Sequence, residues 1–205
     1  DNHGVVTVGS TVQQAYERLE ALNTYARSEM AARTLGDLLP PPEYDLPYVD
    51  HEPHLRSVNE EVRTPLIAEK SEILAGFARR AINRELLNPT VGEMSVRVDS
   101  GACLITASDW GLMPLQASDL VFVNLAGRWL PENGHPVPPT YRLHAQIYAR
   151  HPHIESIITA CPPYLSAYAL TAHPMDTRSI PESYVMLMDA PTLPYASMSQ
   201  VIAQT

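Results

Sequence analysis

The sequence predicts an α/β fold, and three observations carry that reading. Between Val91 and Tyr164 short β-rich runs alternate with one clear helix. Two long stretches with apolar residues at helical spacing come before it, at 12–36 and 66–87. A proline-rich, acidic segment at 37–65 separates those two helices and breaks any period.

Asp1 to Gly9 reads as a turn into a short strand, with glycines at both ends. Ser10 or Thr11 then caps a helix on which Val12, Ala15, Tyr16, Leu19, Leu22 and Ala26 share a face, with Gly36 as its stop. Pro40, Pro41, Pro42, Pro47 and Pro53 make the next segment an extended arm, and its His51 and His54 read as solvent-facing. The second helix, from about Leu66 to Leu87, places Ile67, Leu74, Phe77, Ala78, Ala81 and Ile82 on one side, and Asn88-Pro89 ends it.

Strands follow at Met94–Val98, Ala102–Thr106, Leu120–Asn124 and around Arg128–Leu130. Asp99-Ser100-Gly101 turns the first into the second, and Ala126-Gly127 turns before Trp129. A helix over 140–150 stops at His151-Pro152. Ile154–Ala160 reads as a buried strand, Pro163–His173 as a helix, Val185–Met188 as a strand, and a last helix starts after Pro194.

The 205 residues are 45% hydrophobic and 18% charged, enough for one large domain with a real core, or a domain plus an arm. A formal net charge of −9 argues against a nucleic-acid binder, which needs a basic face. No apolar run is long enough to span a bilayer and no basic-then-apolar leader opens the chain, so no membrane partner and a cytoplasmic location are expected. Cys103 and Cys161 are the only cysteines and give no disulfide framework. Nineteen prolines against nine glycines imply stiff connections.

Several words in this order resemble the class II aldolase and adducin family. They are Gly92-Glu93-Met94-Ser95-Val96-Arg97, Leu104-Ile105-Thr106-Ala107-Ser108, Asp119-Leu120-Val121, Pro138-Pro139-Thr140-Tyr141-Arg142-Leu143-His144 and Ile158-Thr159-Ala160-Cys161-Pro162-Pro163-Tyr164. Asn2-His3-Gly4 with the helix after it resembles the family's C-terminal signature. The resemblance implies a mostly antiparallel central sheet flanked by helices. It divides the chain into a family C-terminal strand and helix at 1–36, an arm at 37–65 and a family N-terminal portion at 66–205. That order fits a circular permutant or a segment spanning two tandem repeats; a start at Asp1 favours the second.

The resemblance also implies a chemistry. In the family three histidines hold a divalent metal, usually zinc, that polarises a substrate oxygen while a glutamate moves protons. Here His3 matches one ligand, but Thr159 and Cys161 stand at the other two, Thr140 replaces the glutamate, and Glu93 replaces an asparagine that faces anionic oxygen. A threonine hydroxyl is a poor ligand, and one imidazole with one thiolate is too few. The expectation is a degenerate metal site with no cofactor, in a structural or interaction unit or the non-metal half of a multi-unit lyase. The alternative is an active aldolase or decarboxylase with a rebuilt, zinc-dependent site.

For such a site His144, Cys161 and Glu93 are the catalytic candidates. His144 lies one helical turn beyond Thr140, so both can face one pocket. Its plainer reading is a satisfied helix histidine, and that of Cys161 an inert buried thiol. Ser95, Ser108, Thr140 and Tyr164 are the substrate-contacting candidates; Arg97 reads as structural, and Asp109-Trp110 as loop packing that could narrow a pocket. Self-association as a homo-oligomer is implied, with other repeats of the same polypeptide as further partners.

Overall fold

A computed structural model describes residues 4–40, 64–88, 90–108, 115–125, 128–130, 135–138, 140–171, 173–188 and 190. The N-terminal His3, His51 and His54, Asp109-Trp110, Ala126-Gly127 and the tail after Pro194 lie outside them. The chain divides into two compact units, Asp1–Ala21 with Pro47–Cys161 and Ser197–Thr205, and Leu22–Leu46 with Pro162–Ala196. Among the described residues no helix is long and apolar enough to cross a membrane.

The first unit is built on one five-stranded antiparallel sheet. Its strands are β1 (Glu93–Asp99), β2 (Ala102–Thr106), β3 (Leu120–Asn124), β4 (Arg128–Leu130) and β5 (Ser156–Thr159), in the order β4-β3-β2-β1-β5. The hairpin between β1 and β2 turns at Asp99-Ser100-Gly101, where the Gly101 N–H donates to Asp99 Oδ1 at 2.7 Å. Every residue of β2 is buried; four are apolar, and the fifth, Thr106, accepts from the Met94 N–H at 3.2 Å through Oγ1.

Helix α2 (Pro65–Asn83) starts on Thr64, whose hydroxyl accepts from the Ile67 N–H, with a proline in the first turn. It packs on β1, burying Ser71, Leu74, Ala75 and Ala78. Leu74, Ala75 and Ala78 join Met94, Leu104, Ile105, Val121 and Val123 in one core. Phe77 is a correction to the expected face, since it is 56% exposed and points away from that core. Helix α3 (Tyr141–Arg150) turns Tyr141, His144, Ala145 and Tyr148 inward.

Two other expectations in this unit are corrected. No strand forms over Gly4–Gly9; instead the Thr7 hydroxyl donates to Ala15 O at 2.9 Å and Arg18 donates to Val8 O, tying the segment to the start of the first helix. The strand expected to be buried over Ile154–Ala160 is shorter and lies at the sheet edge, so Ser156 and Ile158 face solvent.

Helix α1 (Val12–Leu35) runs through the last residues of the first unit into the second. Thr11 Oγ1 accepts from the Gln14 N–H at 3.1 Å, the cap expected from the sequence. Its only buried residues are Ser28 and Ala32, and the apolar stripe through Tyr16, Leu19 and Leu22 stays exposed. In the second unit α4 (Pro163–Ala169) buries Pro163 and Ala167, and the Leu39 N–H donates to Leu170 O at 2.9 Å. Val185–Met188, expected as a strand, instead closes α5 (Pro181–Leu187), with Met188 as its C-cap. There Pro181 supplies the first helical position and Glu182 sits in the first turn, both favouring a helix start over a strand.

Candidate functional site

The alternation of β1 sets one polar row against one helix face. Successive strand side chains point to opposite faces, and helix positions four apart share a face. Glu93, Ser95 and Arg97 therefore lie on one side of β1, against Thr140, His144 and Tyr148 of the α3 segment. Met94 and Val96 join the apolar core on the other side. Two strand residues advance about 6.8 Å and four helix residues about 6 Å, so the two rows stay nearly in register.

The rung at Arg97 is closed. Its Nε donates to Ile154 O at 2.9 Å, Nη2 donates to Tyr148 O at 2.8 Å and His151 O at 3.1 Å, and the guanidinium stands 4.7 Å over the Tyr148 ring. The middle rung is closed too. Ser95 Oγ shares hydrogen bonds with Tyr148 Oη and with His144 Nδ1, each at 2.8 Å, and His144 Nε2 reaches Thr159 Oγ1 at 2.7 Å. His144 has no exposed surface, and burial drops its pKa to about 4. Burial likewise holds the Tyr148 phenol well above its usual range.

The third rung is open. Glu93 lies opposite Thr159 in the pairing of β1 with β5. That approach depends on Gly92, where an added Cβ would fall 2.6 Å from Leu87 Cδ1 and 3.0 Å from Thr159 O. Burial raises the Glu93 pKa, and the Thr140 hydroxyl acts against that shift. Thr140 stands beside the Glu93 carboxyl, but among the described residues Glu93 Oε2 and Thr140 Oγ1 make no hydrogen bond of good geometry. Thr140 is also the N-cap position of α3 and makes no side-chain capping bond.

Cys161 ends this stretch. It is solvent-exposed, where the sequence suggested an inert buried thiol; that description fits Cys103. Even so, the protein around the Cys161 sulfur and then the charge of Glu93 raise its pKa. One thiol is therefore expected to react with iodoacetamide in the folded protein, more slowly than a free cysteine at pH 7.5, and Glu93→Gln is expected to quicken it. Counting labelled sites by mass spectrometry checks this; two fast-reacting thiols would contradict it.

The site candidates thus fall in different places. Glu93, Ser95, Thr140, His144, Thr159 and Cys161 come together at the edge of β1 and the start of α3. Ser95 is wholly buried and engaged by Tyr148 and His144, so it offers no free group to a substrate. Ser108 is exposed and bonded to Pro136 O through both its N–H and its hydroxyl. Tyr164 is 75% exposed and belongs to the second unit. No group of three or more potential metal-ligating His, Cys, Asp or Glu side chains occurs among the described residues. Tyr148 was not singled out from the sequence, although Thr140, His144 and Tyr148 follow one another at helical spacing.

The model of the Class II Aldolase and Adducin N-terminal domain matches residues 72–204. A methylthioribulose-1-phosphate dehydratase from Pectobacterium carotovorum subsp. carotovorum is 39% identical over 69 residues. That match covers 34% of this chain and 33% of the dehydratase, so it spans a third of that relative's length. Among solved structures, YgbL from Klebsiella pneumoniae is similar with a TM-score of 0.55 and 23% identity, over 67% of this chain and 68% of that one. YgbL from Escherichia coli has a TM-score of 0.54 and 18% identity, over 68% and 69%. At these identities the structural likeness is one of fold.

Proposed function

The chain belongs to the class II aldolase and adducin family, and from that premise we propose that it is an aldolase-fold unit whose own family-type metal centre has been retired. In this reading it acts as a structural and interaction unit, or as the non-metal half of a multi-unit lyase. The observation that carries the proposal is the 2.7 Å hydrogen bond between Thr159 Oγ1 and His144 Nε2. It commits the hydroxyl at one ligand position, and the second nitrogen of the His144 imidazole, to the interior.

The remaining donors point the same way. A thiol with a raised pKa resists the deprotonation that metal binding needs, and His144 has no ring nitrogen left over. Among the described residues, the donor set at 159, 161 and 144 does not fit a divalent metal. The alternative, an active aldolase or decarboxylase with His144 as base, would need that imidazole to leave both its partners. Self-association and a cytoplasmic location belong to this proposal. The exposed stripe of Tyr16, Leu19 and Leu22 on α1 is the surface that would supply the former.

Metal analysis of protein purified without chelator tests the proposal. The expected result is no stoichiometric zinc, manganese or cobalt, and no saturable zinc site in a calorimetric titration. One tightly held equivalent that disappears in Cys161→Ala would overturn it.

A further inference from the structure

Helix α2 has two faces, and its own chain uses one of them. The face turned to β1 carries Ser71, Leu74, Ala75 and Ala78. On the other side Leu66, Ile73 and Phe77 follow at spacings of seven and four, two helical turns and one, and form a single stripe. They are 49%, 51% and 56% exposed. Gly76 interrupts that face. A glycine inside a helix costs about 1 kcal/mol relative to alanine. Nothing within this chain requires one at 76, since an added Cβ would meet no atom within 4 Å and the backbone is not left-handed there. Glu69 and Arg80 flank the stripe, one toward each end, and both are exposed. Neither has an opposite charge three or four positions away on the helix, and neither makes an ion pair or a side-chain hydrogen bond among the described residues. The other cations of α2 are engaged, Lys70 by Arg97 O and Arg79 by Leu115 O.

We propose that this face of α2 pairs, antiparallel and about a two-fold axis, with the same face of a second copy of the chain. Charge selects both the partner and its direction. Antiparallel pairing sets Glu69 of each copy against Arg80 of the other, whereas parallel pairing would set like charges together. The same register brings Ile73, four residues beyond Glu69, opposite Gly76, four residues before Arg80. Each isoleucine then enters the space over the opposite glycine, and Leu66 and Phe77 close the sides. Two 19-residue helices bury less than the roughly 800 Å² per copy of a standard interface. The contact is therefore weak, concentration-dependent and loosened by salt. It deepens the self-association proposed above by giving it a surface besides the α1 stripe, and it rests on no property of the metal centre.

Sedimentation equilibrium on the full chain at low ionic strength tests the contact with Glu69→Arg, Arg80→Glu and an equimolar mixture of the two. Both positions are exposed, so the fold is kept. Either variant alone faces like charges at both ends of the pair, with two attractions lost and two repulsions gained. Each is expected to self-associate about tenfold more weakly than the native chain. The mixture restores opposite charges at both ends and should recover native-like association, as should the double variant Glu69→Arg/Arg80→Glu by itself. Equal association in the native, single-variant and mixed samples would overturn the α2 contact alone, since the copies would then meet through another face such as the α1 stripe. A native chain that stays monomeric would overturn it together with the self-association proposed above. Neither outcome touches the retired metal centre, which the metal analysis decides.

Discussion

Arg97→Ala is expected to cost about 4 kcal/mol or more, because three carbonyls lose their donor at once. The guanidinium is buried and serves Tyr148 O, His151 O and Ile154 O. The first two lie at the C-terminal end of α3, whose last carbonyls have no partner within the helix and carry its partial negative charge. Hydrogen bonds to a charged donor contribute about 1.5–3 kcal/mol each. Truncation also removes the cation from above the Tyr148 ring and leaves space between β1 and α3. Against a total stability of about 5–15 kcal/mol, such a loss leaves a marginal protein. Urea denaturation should show a large drop in midpoint with an unchanged slope. Arg97→Lys should recover only part, since an ammonium on a flexible stem cannot reproduce the planar fork. A drop of under about 1 kcal/mol in Arg97→Ala would show that these carbonyls find other partners.

Arg97 also illustrates how much could be read from the sequence. Its structural role came from the family resemblance, while the turn at 99–101 fixed where β1 ends. The face of α3 shared by Thr140 and His144 was legible, because spacing of four is a local property. What spacing could not give is the partner of each. Ser95 meets Tyr148 across 53 positions and His144 across 49, and no period in the chain encodes that pairing. The resemblance brought Glu93, Thr140 and Cys161 to one place as replaced family positions, and the structure sets Glu93 beside both Thr140 and Cys161.

The misread elements have physical reasons as well. Val185–Met188 is apolar enough for a strand, but Pro181 and Glu182 start a helix before it is reached. Ile154–Ala160 has the composition of a central strand and the position of an edge one, and position depends on which strands pair with it. Phe77 fits the helical period of its face, yet a face about 100° wide leaves its margin in solvent.

The second large effect concerns pH. Burial holds the His144 pKa at about 4 in the folded chain, against 6.5 for an ordinary histidine. The folded value is the lower one, so as pH falls the unfolded chain takes up this proton first. The contribution of His144 is therefore intact above about pH 6.5 and is lost progressively as pH falls toward 4. The 2.5-unit difference corresponds to about 3 kcal/mol, at 1.36 kcal/mol per unit. Glu93 runs the other way: its pKa is raised by burial, so its protonation favours the folded state as pH falls and offsets part of the loss. Stability measured by urea at pH 6.5 and pH 4 should fall in the native protein, and His144→Leu should flatten that dependence. Because the carboxylates titrate nearby, the decisive measurement is the NMR titration of the His144 ring itself. A midpoint near 4 is expected. A midpoint near 6.5 would mean the imidazole reaches water, and the hydrogen bonds to Ser95 and Thr159 would then not hold it in the interior.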